Sequence, residues 1–283
     1  MTSDHDLNLT FNSNPAVDGL ELTGELERLR QDIKKDRDAL DVSMQLADTK
    51  AELIFQYKEK AKRGAELILA NAEKVKLEAI NNEKLRTSLM ETIGIARKLV
   101  ELRDPYTAGH EQHVGDLAKA IAKEMGLDEQ CQQGLMIAGY LHDIGKIIVP
   151  AEILCKPGKL TEDEYRLIKG HVQAGYDLLK NVTFPWNISR AVLEHHERID
   201  GSGYPNSLNA DQISIEGRIL AVADVVEAMS AYRPYRQALG IDDALAEIER
   251  GRGVIYDKNV ADACLNLFRK RSYKIDHSSL VTK

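Results

Sequence analysis

Two short stretches concentrate the residues that could do chemistry. One reads Gly139-Tyr140-Leu141-His142-Asp143-Ile144-Gly145-Lys146. The other reads Glu194-His195-His196-Glu197-Arg198-Ile199-Asp200-Gly201-Ser202-Gly203-Tyr204-Pro205. The chain has only eight histidines, and three sit here as a His-Asp pair and a His-His pair. Adjacent ligand-type residues on apolar helices are costly to bury unless something binds them. A metal ion is the simplest such occupant. Imidazole with carboxylate suits zinc, iron or manganese and argues against calcium. His110, His171 and Asp224 lie among apolar neighbours and extend the candidate set. Singly, each has an ordinary reading: His171 as a hydrogen-bonded histidine, Asp224 as a carboxylate paired with an arginine.

The elements that must position these residues read as helices. Ile93, Ala96, Leu99 and Val100 form an amphipathic stretch that Asp104-Pro105 interrupts. Thr107 is the expected N-cap of a helix carrying His110, Val114, Leu117, Ile121 and Ala122 and closed by Gly126. Asp128 opens the next, with Leu135, Ala138, Gly139, His142 and Asp143. If that helix persists to Lys146, all three polar residues share one side. Thr161-x-x-Glu164 is a capping box that starts the helix of His171. Phe184-Pro185-Trp186 breaks the chain before a helix over Asn187–Glu197 that delivers His195 and His196. Asp200–Asn209, dense in Gly, Ser, Asn and Pro, is a loop of the composition any interhelical turn favours. Ile213–Tyr232 is an apolar helix with Asp224. Further helices run through Ile248 and over Asn259–Arg269. No run alternates with period two, so the fold class is all-α, in which helices can converge ligands as di-metal bundles do.

His142-Asp143-Ile144-Gly145-Lys146, followed by His195-His196-Glu197 and Gly203-Tyr204-Pro205, resembles the HD-GYP family of HD-domain metal phosphohydrolases, from about Ile93 to Arg271. The resemblance implies an HD-domain helical bundle over 93–272 and two divalent transition-metal ions, iron or manganese. It implies His110, His142, Asp143 and Asp224 as ligands of one ion and His171, His195 and His196 as ligands of the other, with Asp143 bridging. Some members hold a third ion through a Glu four residues before the first His. That position is Tyr106 here, so two ions are expected. His113 stands where the family often has Arg and is expected at the surface or behind the ligands. Catalytic roles fall to Asp143 and Lys146. Substrate contacts fall to Lys146, Tyr204, Glu227, Arg233 and Arg236, with Glu227 standing where the family often has Asp. Arginine suits phosphate through its planar fork.

The reaction so implied is hydrolysis of cyclic di-GMP to pGpG and onward to GMP in bacterial second-messenger signalling. Metal ions at such a centre activate water and hold phosphoryl oxygens. Two other readings stay open. One is a phosphohydrolase acting on another nucleotide or cyclic dinucleotide. The other is a weakly catalytic adaptor for diguanylate cyclase (GGDEF) or sensor partners, which the family's Gly-Tyr-Pro loop is proposed to meet.

Ahead of this domain, residues 1–20 are polar and read as a disordered tail containing His5. Residues 21–92 read as long helix, rich in Ala, Glu, Lys, Leu and Arg. An apolar residue recurs every seven: Leu26, Ile33, Leu40, Ala47, Ile54, Ala61, Ile68 and Val75, breaking at Asn82 and resuming at Leu89. A seven-residue repeat favours coiling about a partner helix. The companion seam is weak, since Asp36, Ser43 and Lys50 follow Leu29. A homodimer through residues 22–99, a helical hairpin, and a helix resting on the catalytic domain are the alternatives. Residues 273–283, with His277, read as a frayed tail.

The formal charge of −7 gives no basic footprint, so no nucleic-acid partner is expected. No apolar run reaches a membrane span of about 20 residues. The first residues lack the apolar core of a signal peptide. Cys131, Cys155 and Cys264 are scattered, which suits a reducing, cytoplasmic setting.

Overall fold

Among the described residues helix is the only extended regular structure, as the lack of period-two patterning predicts; the exceptions are two isolated bridge pairs, Asp200 with Asn209 and Arg252 with Tyr256. The computed structural model describes residues 18–104, 109–231 and 240–275, with side chains from residue 22. The expectations placed on His5, Tyr106, Thr107, Arg233, Arg236 and His277 fall outside them.

The chain divides into two compact units, one ending at Asn82 and the next beginning at Glu83. Helix α1 (Asp18–Arg103) is unbroken, which overturns the hairpin alternative. Nothing in its sequence breaks it: it holds no proline, and its glycines, Gly24, Gly64 and Gly94, each cost only about 1 kcal/mol in a helix. Up to Asn82 its repeat positions Leu26, Ile33, Leu40, Ile54, Ile68 and Val75 are all exposed.

In the second unit the last turns of α1 bury Ile93 and Val100. There follow α2 (His110–Glu124), α3 (Glu129–Leu141), α4 (Ala151–Leu154), α5 (Glu162–Leu179), α6 (Ile188–Glu194), α7 (Ile215–Ser230), α8 (Ile241–Gly251) and α9 (Lys258–Lys270). Helix α7 is the hub and packs on α2, α3, α6, α8 and α9. Its Ile219, Leu220, Val222, Ala223 and Val226 are fully buried. A helix that is apolar nearly all round belongs in such a centre, and each large side chain buried there contributes about 1.5–3 kcal/mol.

Local signals set most helix starts. The Asp128 side chain accepts the Cys131 amide, and Thr161 and Glu164 complete the expected capping box. Helix α2 differs from expectation. Its cap is Gly109, at φ 77°, with no side-chain cap bond; glycine tolerates that left-handed conformation where other residues rarely do.

Close backbone contacts position the polar residues. A Cβ on Gly139 would lie 2.4 Å from the Gly115 Cα, so α2 and α3 touch through two glycines. The condition that α3 persist to Lys146 is not met. The helix stops at Leu141, and a 3-10 turn covers Ile144–Ile148. The reason lies at Gly145, where a Cβ would sit 1.9 Å from the His171 carbonyl oxygen and 2.5 Å from the Gly175 nitrogen. The chain must leave the α-helix there to press against α5. Helix α6 likewise ends at Glu194 rather than Glu197, with His195 as its cap.

Gly145→Ala is therefore expected to lower thermal stability. An overpacking penalty of about 1–3 kcal/mol corresponds to a drop of about 3–10 °C for a domain of this size. Calorimetric unfolding checks this, and an unchanged melting temperature would show that the contact yields freely.

Candidate metal centre

Seven side chains named from sequence come together. His110 begins α2, His142 caps α3, Asp143 follows it, His171 lies in α5, His195 and His196 follow α6, and Asp224 lies within α7. The His142 ring lies 5.2 Å from that of His110 and 5.1 Å from that of His195. His195 and His196 are 4.1 Å apart, and His171 is within 5.5 Å of both.

The backbone fixes which nitrogen of three rings faces inward. The Nδ1 atoms of His142, His171 and His195 lie 2.7, 2.6 and 2.6 Å from the carbonyl oxygens of Gly139, Ile168 and Val192. A carbonyl only accepts, so each Nδ1 donates its hydrogen and each Nε2 is left as a lone pair. These lone pairs point at one another and at carboxylates. His171 Nε2 is 3.5 Å from His195 Nε2 and 3.2 Å from Asp143 Oδ1. Buried His142 Nε2 makes no hydrogen bond, yet lies 3.3 Å from Asp143 Oδ2 and 3.8 Å from Asp224 Oδ1. With every ring neutral this arrangement is repulsive, and in the absence of metal protons relieve it: Asp143 raises His142 above its ordinary value against the effect of burial. With a metal ion it is the usual form of a histidine metal site, the far nitrogen anchored and the near one coordinating.

The spacing also fits. Ligands held at about 2.0–2.2 Å from a shared ion stand roughly 3–3.5 Å from each other. His110 Nε2 lies 3.2 Å from Asp224 Oδ1 and 3.9 Å from Asp143 Oδ2, so His110, His142, Asp143 and Asp224 form one set. His171, His195 and His196 form a second, with ligand atoms within 4.8 Å of one another. Asp143 faces the first set with Oδ2 and the second with Oδ1. This cluster has the chemistry and geometry to hold metal.

Electrostatics sort the ligands. Burial would raise the Asp143 carboxyl, but His142 and Lys146 hold it well below the usual range. Burial opposes ionisation of Asp224 too, and His110 and His142 overcome it. Burial and the neighbouring imidazoles keep His195 neutral, and burial pulls His196 down to about 3. At His110 burial is outweighed by Glu227 and Asp224, which raise it to about 10.

Three residues surround this core in ways the sequence left unspecified. Lys146 Nζ lies 2.7 Å from Asp143 and 3.5 Å from Asp104, a residue read from sequence only as a helix breaker. Glu227 was expected to contact substrate. The structure corrects this: it is 1% exposed, bonded to His110 Nδ1 and 3.2 Å from His113 Nδ1. It stands behind His110 as the carboxylate that orients a ligand, and His113 is buried with it rather than at the surface. The adjacent Glu197, given no role in the sequence reading, accepts the amides of Asn206 at 2.7 Å and Leu208 at 2.9 Å. Gly203 passes so close to the Glu197 Cα that a Cβ would sit 2.4 Å from it. The loop thereby lays Tyr204 on His196, with ring centroids 4.7 Å apart and 28° between planes.

Comparison with known proteins now decides the family. The HD domain family matches residues 94–260, more than half of the chain. The chain belongs to the HD domain family. Its all-α bundle is the HD fold. Among its relatives, the Cyclic di-GMP phosphodiesterase response regulator RpfG of Xanthomonas campestris pv. campestris is 41% identical over 177 residues, 62% of this chain and 47% of that protein. A Cyclic di-GMP phosphodiesterase of Thermotoga maritima is 42% identical over 181 residues, 63% of this chain and 49% of that protein. The 3'3'-cGAMP-specific phosphodiesterase 3 of Vibrio cholerae is 38% identical over 185 residues, 64% of this chain and 40% of that protein. The chain thus spans less than half the length of each of these relatives, through its HD domain. No described helix is long and apolar enough to cross a membrane.

Two outcomes follow from the second carboxylate behind His110 and from its raised affinity for a proton. Glu227→Gln keeps the shape and removes the charge, and should weaken metal binding about 10–100-fold, read by titration against a competing chelator. In the metal-free protein Glu227 and Asp224 overcome burial and raise the pKa of His110 from its ordinary 6.5 to about 10, so between these pH values it holds a proton that a free imidazole would lose. Metal binding must displace that proton, so apparent affinity should rise with pH across this window. Calorimetry in buffers of different ionisation enthalpy should record proton release on loading. Its absence would show that His110 is already neutral.

Proposed function

We propose that this chain is a metal-dependent phosphodiesterase that hydrolyses cyclic di-GMP to pGpG and onward to GMP. The observation that carries the reading is the pair of ligand sets sharing Asp143, with imidazole lone pairs turned inward. His110, His142, Asp143 and Asp224 would hold one divalent ion, and His171, His195 and His196 with Asp143 the other. Iron and manganese suit this mixed imidazole and carboxylate set. The chemistry such ions supply is polarisation of phosphoryl oxygens and a lowered pKa for a water.

The chain's own residues do the rest. Lys146 places a buried positive charge beside Asp143, where negative charge develops as the phosphoryl group is attacked. Glu227 keeps His110 turned with Nε2 toward the centre. Tyr204, stacked on His196, presents an aromatic edge at the mouth. Arg233 and Arg236 are proposed to grip substrate phosphates, and their place in the sequence nine and twelve residues after Asp224 supports this. Relatives named for cyclic di-GMP and for 3'3'-cGAMP both support a cyclic dinucleotide as substrate class. The first is favoured because the two relatives of higher identity carry that name.

The exposed seven-residue repeat of α1 supports a homodimeric coiled coil through residues 22–99 as the route by which a signal, from a sensor or GGDEF partner, reaches the domain. A cytoplasmic, signalling role fits this reading.

Protein loaded anaerobically with Fe(II) or Mn(II) should hydrolyse cyclic di-GMP, and His142→Ala and Asp143→Ala should each abolish this by at least about a hundredfold. Turnover of 3'3'-cGAMP alone would move the substrate within the class. No turnover with two equivalents of metal bound would sink the proposal. For the dimer, sedimentation equilibrium should give twice the 31.6 kDa chain mass. Ile33→Asp with Ile54→Asp should return it to monomer, and a monomeric parent chain would refute the coiled coil.

A further inference from the structure

The cations of the mouth are not equally committed. Lys146 sits between Asp143 and Asp104, inside the centre, where it serves the phosphoryl group under attack. Arg198 turns its guanidinium back to the carbonyl oxygens of Glu197 and His195. Lys169 differs. Among the described residues it makes no ion pair, and its ammonium rests on two aromatic rings. Nζ lies 4.6 Å from the centroid of Tyr165 and 4.8 Å from that of Tyr204. Tyr165 stands one helical turn before Lys169 on α5 and is 48% exposed. Tyr204 is the ring that stacks on His196. Lys169 is therefore one aromatic ring away from the metal ligands.

The chemistry of the substrate asks for such a group. A cyclic dinucleotide carries two phosphodiester charges, and one metal centre engages one of them at a time. The second phosphate needs a cation outside the centre, at a distance set by the nucleotide ring. A cation held by aromatic faces keeps its N–H donors available, because the rings supply attraction without accepting strong hydrogen bonds. A cation paired to a carboxylate does not. Two tyrosine rings also hold the flexible lysine stem in place, which reduces the ordering cost on binding.

We propose that Lys169, held over the rings of Tyr165 and Tyr204, contributes a contact to the uncut phosphate of the cyclic dinucleotide, beside those proposed for Arg233 and Arg236, and so favours this substrate over smaller phosphodiesters. This deepens the reading given above and rests on it. A merely structural role, pinning the 200–209 loop to α5, predicts something different: it would disturb every substrate alike.

The test compares the parent chain, Lys169→Met and Lys169→Arg, each with measured metal content. Substrates are cyclic di-GMP and bis(p-nitrophenyl) phosphate, which has one charge and no second phosphate. Lys169→Met should raise KM for cyclic di-GMP with little change in kcat. It should lower the ratio of kcat/KM between the two substrates by about tenfold, the loss of one charged contact. Lys169→Arg should recover most of the ratio. Binding of a slowly hydrolysed bis-phosphorothioate analogue of cyclic di-GMP should weaken in parallel. An unchanged ratio, or an equal loss for both substrates, overturns the role of Lys169 and leaves the phosphodiesterase reading standing. A parent chain that neither cuts nor binds a cyclic dinucleotide overturns both.

Discussion

The centre depends on one short interaction made three times: an imidazole Nδ1 donating to the carbonyl three residues earlier. Helix ends leave carbonyls without intrahelical partners, and His142 and His195 use those of Gly139 and Val192. His171 does the same with Ile168 inside α5. Each bond settles a tautomer, and each tautomer turns a lone pair inward. The protein thus assembles an electron-rich cluster whose charge a metal ion or protons must compensate. Asp143 and Asp224, kept ionised by their neighbours, set its charge.

The packing that brings these bonds together rests on missing side chains. Gly115 and Gly139 let α2 meet α3, and Gly145 lets the turn after Asp143 meet α5. These contacts set the separation of His110, His142 and His171 more directly than the apolar core does. The core supplies the energy: α7 is buried nearly all round, so Asp224 is delivered to the centre by a helix that has few other positions available. Glu227, one turn further along α7, then reaches His110 from behind.

Much of this was legible in the sequence. The helical periodicity around Val114, Leu117 and Ile121 gave α2, and the Thr161 and Glu164 capping box gave the start of α5. The paired His-Asp and His-His stretches pointed to metal because burying them otherwise is costly. What escaped the sequence was contact made across the fold. Periodicity left open whether α3 ran on to Lys146, because the collision at Gly145 that ends it involves residues 26 and 30 positions later. Glu227 was placed at the substrate by the resemblance alone, since its position on α7 says which turn it occupies and not which neighbour it meets. Asp104 was seen only through the proline after it, and Glu197 only as part of a signature. Both are acids whose partners, Lys146 and the amides of Asn206 and Leu208, lie on other segments.

Glu197 follows His196 directly and holds the 200–209 loop by two backbone amides, while Gly203 leaves no room between loop and turn. His196 and the loop are thereby tied together through their shared neighbour Glu197. The surface that Tyr204 offers lies flat on His196, so the loop and the histidine share one face. A change at His196 is therefore passed directly to the face the loop presents to the outside.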